Sequence, residues 1–225
     1  MKNILAVLCL LLSGSVYTQT NFNAGISIGG NDTNLGSSFF YNTRNVILGS
    51  VYLFDEWDNS AEIHTLSSEK FLVRNINLNI NRNAFEAKLT DSDSIFSFNF
   101  NNIKQVVIND KIYKNYYYND DNRVYEIIYQ SNKFSIMKGF SIKVVSSSGN
   151  PMVNRSNDKY ARFSSYFIKQ KNSIKPFKLR KKSIYNLLDN DKNVISRLES
   201  YISNKNLSYK REKDVVQILD YVFNL

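Results

Sequence analysis

The chain has 225 residues, of which 29 are Lys or Arg and 20 are Asp or Glu, for a formal charge of +9. That length allows one or two domains, and 43% apolar residues suffice for a packed core. The composition excludes an acidic disordered tail, a collagen-like fibre and a disulfide-stapled miniprotein. The 31 Asn, against 8 Gly and 2 Pro, follow A/T-rich codon usage, so Asn runs and the lysine excess carry little functional weight by themselves.

Lys2 precedes an apolar run over residues 4–12, followed by Ser13, Gly14 and Ser15. A charged start, a short apolar stretch and a small-residue exit predict a secretory signal peptide, residues 1–18, with cleavage after Thr18 or, alternatively, after Ser15. A buried N-terminal helix is the competing expectation. The run is too short to span a bilayer, which needs about 20 residues. Cys9, the single cysteine, lies inside it, so the mature chain is expected to lack thiols, disulfides, Cys-ligated zinc and iron–sulfur clusters. No later segment is apolar enough for a transmembrane helix.

Residues 19–45 read as a loosely ordered arm, with one strand near residues 25–29. From residue 46 to 178 the dominant period is two, which predicts an antiparallel β domain. Ile76, Leu78 and Ile80 alternate with Asn; Phe85, Ala87 and Leu89 oppose Glu86 and Lys88; Phe96, Phe98 and Phe100 repeat the pattern. Further strands are expected over 105–109, 123–130, 140–145 and 162–169. Turn clusters separate them, among them Asn109-Asp110 and Asn119-Asp120. The period then becomes helical. Ile184, Leu187 and Leu188, then Ile195, Leu198 and Ile202 after an Asn190/Asp191 cap, then Val215, Ile218, Leu219, Val222 and Phe223 predict three helices within residues 179–225. The expected fold class is α+β, a mainly antiparallel β body with a three-helix C-terminal cap. An outer-membrane barrel should instead end on a strand.

Chemical motifs are sparse. His64 is the sole histidine, on the polar face of its segment, and supports no triad by itself. Asp55, Glu56 and Asp58 surround Trp57; with Glu86 they are the acids a carboxylate-dependent glycan hydrolase would draw on. An anchoring Trp in a strand-to-turn transition is the plainer account. The run Asp189-Asn190-Asp191-Lys192-Asn193 starts like a calcium loop but has Val194 where Gly is required and Ser200 where Glu is required, so helix capping explains it better. No cofactor or metal is expected.

Charge is the most informative feature. Residues 1–110 carry 7 basic and 10 acidic residues, and residues 111–225 carry 22 and 10. Residues 159–182 hold nine Lys or Arg, no acid, and interleaved Tyr and Phe. Lys169, Lys171, Lys175, Lys178, Arg180, Lys181 and Lys182 are the anion-binding candidates. After export the expected partners are an anionic envelope polymer, lipid headgroups or a protein, with nucleic acid disfavoured. A solvated basic face is the plain alternative.

Gly49-Ser50-Val51-Tyr52-Leu53-Phe54-Asp55-Glu56-Trp57 resembles the opening of a family of small secreted Bacteroidetes proteins of unknown function. Phe71-Leu72-Val73-Arg74, Tyr125-Glu126-Ile127-Ile128-Tyr129, Tyr166-Phe167-Ile168 and the final helix extend the likeness over residues 45–225. Val51 stands where the family often has Pro, and the Gly usual after the Glu-x-x-Tyr strand is missing. The resemblance implies export, a β body and a helical end, and it supplies no catalytic residues. The expectation is an exported, non-enzymatic envelope protein of the periplasm or cell surface, binding through its basic strip. The alternatives are the hydrolase and an assembly factor that pairs through an exposed strand edge.

Overall fold

A computed structural model describes residues 46–89, 94–147, 157–189 and 191–223, all within one compact unit, Arg44–Leu225. The expected signal peptide and N-terminal arm lie outside the described residues. The fold is α+β. Eleven strands run β1 Ser60–Thr65, β2 Lys70–Arg74, β3 Ile76–Asn79, β4 Ala84–Lys88, β5 Ile95–Ser97, β6 Ile103–Ile108, β7 Lys111–Tyr118, β8 Asp121–Gln130, β9 Ser135–Val145, β10 Lys159–Gln170 and β11 Ser173–Phe177. Three helices follow: α1 Lys181–Leu187, α2 Lys192–Lys205 and α3 Glu212–Phe223. Among the described residues no helix is long and apolar enough to cross a membrane.

The strands form an antiparallel sheet ordered β11-β10-β9-β8-β7-β6-β1-β2 and a small sheet ordered β3-β4-β5. Two hairpins turn on Asn109-Asp110 and Asn119-Asp120, with all four residues at positive φ. Asn and Asp tolerate that left-handed region, which matches the twist of paired strands. The strand β7 escapes the sequence pattern. Its residues, Lys-Ile-Tyr-Lys-Asn-Tyr-Tyr-Tyr, put tyrosines on both faces and hide the alternation.

Opposed residues in an antiparallel ladder share a face, so the register sorts the large sheet into two sides. On one side stand Ile63, Val106, Tyr113, Glu126, Lys138 and Tyr166, joined across β1, β6, β7, β8, β9 and β10. That side is covered. Toward β1 it packs against Ile76, Leu78, Phe85 and Ala87 of the small sheet. Toward β10 it packs Ile136 and Ile168 against Ile184, Leu198, Val215, Ile218 and Leu219 of the helices. The helices therefore complete the body's core, with each fully buried aliphatic contributing about 1.5–3 kcal/mol. Lys138 Nζ and Tyr166 Oη both donate to Glu212 Oε2, at 3.0 and 2.8 Å, and tether α3 to the sheet.

The helix boundaries follow from local chemistry. Asp191 Oδ1 accepts from the backbone N–H groups of Asn193 and Val194 at 2.9 and 3.3 Å, which caps α2. Asn206, at φ 51°, ends it. Simple alternation falls short in two places. Asn77 and Asn79, which alternate with Ile76, Leu78 and Ile80, are buried as those are. Asn77 bridges Phe54 through N–H···O bonds in both directions, and Asn79 Nδ2 donates to Glu86 Oε2 at 3.1 Å. Phe96, Phe98 and Phe100 do not share one strand, because β5 stops at Ser97 and Phe100 opens a single turn of 3-10 helix.

Candidate functional site: an aromatic and cationic sheet face

The seven sequence candidates are divided among β10, a turn, an edge strand, a link and a helix, with Lys178 and Arg180 lining one cavity of about 370 Å³ and Lys181 and Lys182 lining another. Lys171 sits in the β10–β11 turn at φ 51°, and Lys175 is exposed on the edge strand β11. Lys178 and Arg180 lie on the link to α1, and Arg180 Nε donates to Ser183 Oγ at 3.2 Å. Lys181 pairs with Glu199 at 2.5 Å and stands beside the Tyr185 ring, while Lys182 is exposed next to it. The Glu199 partnership holds the Lys181 ammonium above the ordinary lysine value. A run of charge along the chain is thus unwound by a hairpin, a link and a helix that point it in different directions. Lys169 alone joins another constellation.

That constellation lies on the side of the large sheet opposite the helices. There β7 presents Lys114, Tyr116 and Tyr118, β8 Arg123 and Tyr125, β9 Gly139, Ser141 and Lys143, and β10 Phe163, Ser165, Phe167 and Lys169. The rings touch across strands. Tyr116 to Tyr125 is 6.3 Å between centroids, Tyr125 to Phe167 is 5.4 Å, and Tyr118 to Phe167 is 5.5 Å. The backbones of β7 and β10 are three strand spacings apart, about 14 Å. Rings from β7 and β10 therefore lean together over the strands between them. Gly139 makes this possible. A Cβ there would sit 3.0 Å from both Phe167 Cε2 and Tyr125 Cε1. Within this layer Tyr125 is 1% exposed and Met137, on the same side, 0%, and neither belongs to the two cores that the small sheet and the helices complete.

Cations ride on this layer. Lys169 Nζ stands 5.3 Å from the Tyr116 centroid, and Lys143 Nζ 5.7 Å from that of Phe163. Lys114 Nζ donates to Gln130 Oε1 at 3.0 Å. Burial first, then the charges of Lys104 and Lys169, hold the Lys114 ammonium below the usual lysine value. Among the described residues no carboxylate oxygen lies within 4.0 Å of the amines of Lys104, Lys114 or Lys169. Three mutually repelling lysines without a counter-ion attract anions from solution.

Beside the layer the sheet forks. The β8–β9 ladder runs from Gln130↔Ser135 to Tyr125↔Gly139 and stops. Beyond it Asp121–Val124 pair only with β7, and Phe140–Val145 only with β10. A cavity of about 170 Å³ fills the crotch, bounded by Arg123, Tyr125, Gly139, Ser141, Ser165 and Asn83. A second cavity of about 490 Å³ shares Asn83 and is lined by Arg82, Asn99, Asn101, Asn115, Asp121 and Asn122.

The acids of the hydrolase alternative are placed elsewhere. Glu86 is 1% exposed and accepts from Tyr52 Oη at 2.7 Å, Asn79 Nδ2 at 3.1 Å and Arg82 Nη1 at 3.3 Å, a structural network. Asp55 pairs with Arg162 at 2.5 Å, and Glu56 and Asp58 are exposed on the 46–59 segment. Trp57 packs against Tyr52 and beneath Lys88, as an anchor does. His64 Nε2 lies 2.5 Å from Glu62 Oε1, and Lys70 reaches the same oxygen at 2.8 Å. These partners lower the Glu62 carboxyl, with Lys70 the larger influence. Among the described residues no group of three or more His, Cys, Asp or Glu could hold a metal. Both outer strands of the large sheet are five residues long. Lys175 and Pro176 guard β11, and Lys70 and Arg74 bracket the exposed Phe71 and Leu72 of β2, all devices that discourage edge pairing. Searches against protein-family models, curated proteins and solved structures return no match.

Proposed function

We propose that this chain is an exported, non-enzymatic binding protein of the cell envelope, and that its ring-lined sheet face takes an acidic polysaccharide. The observation that carries the reading is Lys114 and Lys169 on the face of the ring layer of Tyr116, Tyr118, Tyr125 and Phe167, with the charge of Lys104 also acting on Lys114 and, among the described residues, no carboxylate in ion-pair reach of the three. Aromatic faces stack on the apolar faces of sugar rings, and lysines meet their carboxylates. The N-terminal pattern and the resemblance to secreted proteins support export. Lipid headgroups suit the face less well, because of its rings only Phe163 is exposed, while Tyr116, Tyr118 and Phe167 are half-buried and Tyr125 is buried.

The test is salt elution of the mature chain from a polygalacturonate resin. Lys114→Gln with Lys169→Gln should elute at clearly lower salt than wild type. The quadruple change Lys178→Gln, Arg180→Gln, Lys181→Gln and Lys182→Gln should shift elution less, although it removes twice the charge. A larger shift from the quadruple variant would return the function to the basic strip. No shift from either would end the anion-binding reading.

A further inference from the structure

Two buried side-chain polar atoms among the described residues have no hydrogen-bond partner, Arg123 Nε and Tyr125 Oη. Both side chains line the same cavity, the one in the β8–β9 fork. Unpaired buried donors are rare, because each forfeits its hydration without replacement. Two in one crotch mark a place where an acceptor belongs. Tyr125 cannot turn away, since its ring is clamped between the Gly139 backbone and Phe167. The charges of Arg123 and Asp121 and the Tyr118 hydroxyl also act on its hydroxyl. Burial pushes that hydroxyl up to about 12, so it remains a donor.

The charge balance narrows the ligand. Asp121 Oδ2 lies 4.0 Å from Arg123 Nε, too far for a hydrogen bond, with 40% of the Arg123 and 57% of the Asp121 side chain exposed. A dianion such as phosphate would bring its second charge beside the Asp121 carboxylate. A neutral sugar would leave Arg123 Nε without a charged acceptor. A monoanion with two acceptor oxygens satisfies both donors. About 170 Å³ is the space of five or six waters at about 30 Å³ each, which fits a carboxylate and its adjoining carbon. Ser141 and Ser165, both exposed and on the side of the rings, line the cavity as well.

We propose that the β8–β9 fork is a carboxylate-binding site in which Arg123 Nε–H and Tyr125 Oη–H each donate to one carboxylate oxygen. It rests on the polysaccharide reading only for the source of the carboxylate, the uronic acid unit of a chain lying on the same face. A free small carboxylate presents the same chemistry.

The test titrates the full chain separately with sodium glucuronate, acetate, inorganic phosphate and glucose, following backbone amide shifts by NMR. Glucuronate and acetate should move the amides of residues 123–125 and 139–141. Glucose should not, and phosphate should bind several-fold more weakly. Tyr125→Phe keeps the ring and should weaken glucuronate about tenfold. Arg123→Lys keeps a charge without the Nε donor and should not restore binding. Thermal melting of ligand-free Tyr125→Phe should occur at or above the wild-type temperature, since an unpaired hydroxyl has been removed; a purely structural role would lower it. Glucuronate preferred over acetate assigns the sugar as source, and equal affinity assigns a free carboxylate. Equal glucuronate affinity of wild type and Tyr125→Phe, equal binding of glucose, or no shift with any of the four, meaning ordered water alone, would overturn the site. Lys114→Gln with Lys169→Gln should lose polymer retention yet keep glucuronate binding. Glucuronate binding without polymer retention in wild type would sink the polysaccharide reading and leave the fork standing.

Discussion

Replacing Gly139 by Ala tests whether the aromatic layer is a fixed, close-packed feature of the sheet. The new Cβ would stand 3.0 Å from Phe167 Cε2 and 3.0 and 3.2 Å from Tyr125 Cε1 and Cδ1. Optimal carbon contacts lie near 3.5–4.0 Å, so both rings must retreat by about 0.5 Å. Each ring is backed by another, Phe167 by Tyr118 and Tyr125 by Tyr116, which limits retreat to the side of the fork cavity. Overpacking of this kind costs about 1–3 kcal/mol. The smaller entropy of an unfolded Ala chain returns about 0.4–1 kcal/mol. The net expectation is a loss of about 1 kcal/mol, or about 2–4 °C in Tm for a domain of this size. Urea unfolding monitored by tyrosine fluorescence and far-ultraviolet dichroism measures it. A Phe167→Leu partner should recover part of the loss in a double-mutant cycle, because it empties the space that the Cβ needs. Stability of Gly139→Ala at or above wild type, or strict additivity with Phe167→Leu, would show that the rings are not packed on this glycine.

Two further outcomes follow from buried polar groups. Glu86→Ala strips the acceptor from Tyr52 Oη and Asn79 Nδ2, both directed at Glu86 Oε2, and should cost about 3 kcal/mol by urea unfolding; unchanged stability would reopen Glu86 as a chemical rather than structural acid. Burial raises the hydroxyls of Tyr52, Tyr113, Tyr125, Tyr166 and Tyr209 above the ordinary tyrosine value, Tyr52 and Tyr125 to about 12. The unfolded chain therefore binds fewer protons above about pH 10, and this contribution, complete below pH 10, is lost as pH climbs toward the folded values. Tyrosinate absorbance from these residues should rise together with loss of far-ultraviolet dichroism, and early titration with the fold intact would contradict their burial.

Periodicity located much of the architecture because it reports burial directly. The stripe Val215, Ile218, Leu219 is buried as a helical spacing requires, and the Asn-Asp pairs turn the hairpins because those residues accept positive φ at low cost. It missed β7, whose tyrosines line both faces, and it did not show the burial of Asn77 and Asn79, whose hydrogen-bond partners come from a loop more than twenty residues away or from the paired strand β4. The candidate site was less legible. Of seven basic residues chosen for proximity along the chain, the fold brings only Lys169 to the ring-lined face, where Lys114 from a strand over fifty residues earlier stands near it. Tyr125 and Arg123 were legible only as parts of an expected strand, Tyr125 also within the family resemblance, and neither as a ligand-binding residue.

What the residues alone determined was local: an α+β order of strands then helices, their caps and turns, and a charge surplus in the second half, all set by interactions between near neighbours. Which side of each strand meets which, where Gly139 lets rings close, and where β8 and β9 part were decided only by tertiary register. Those features arise from pairing between segments tens of residues apart, and no spacing within one segment encodes them.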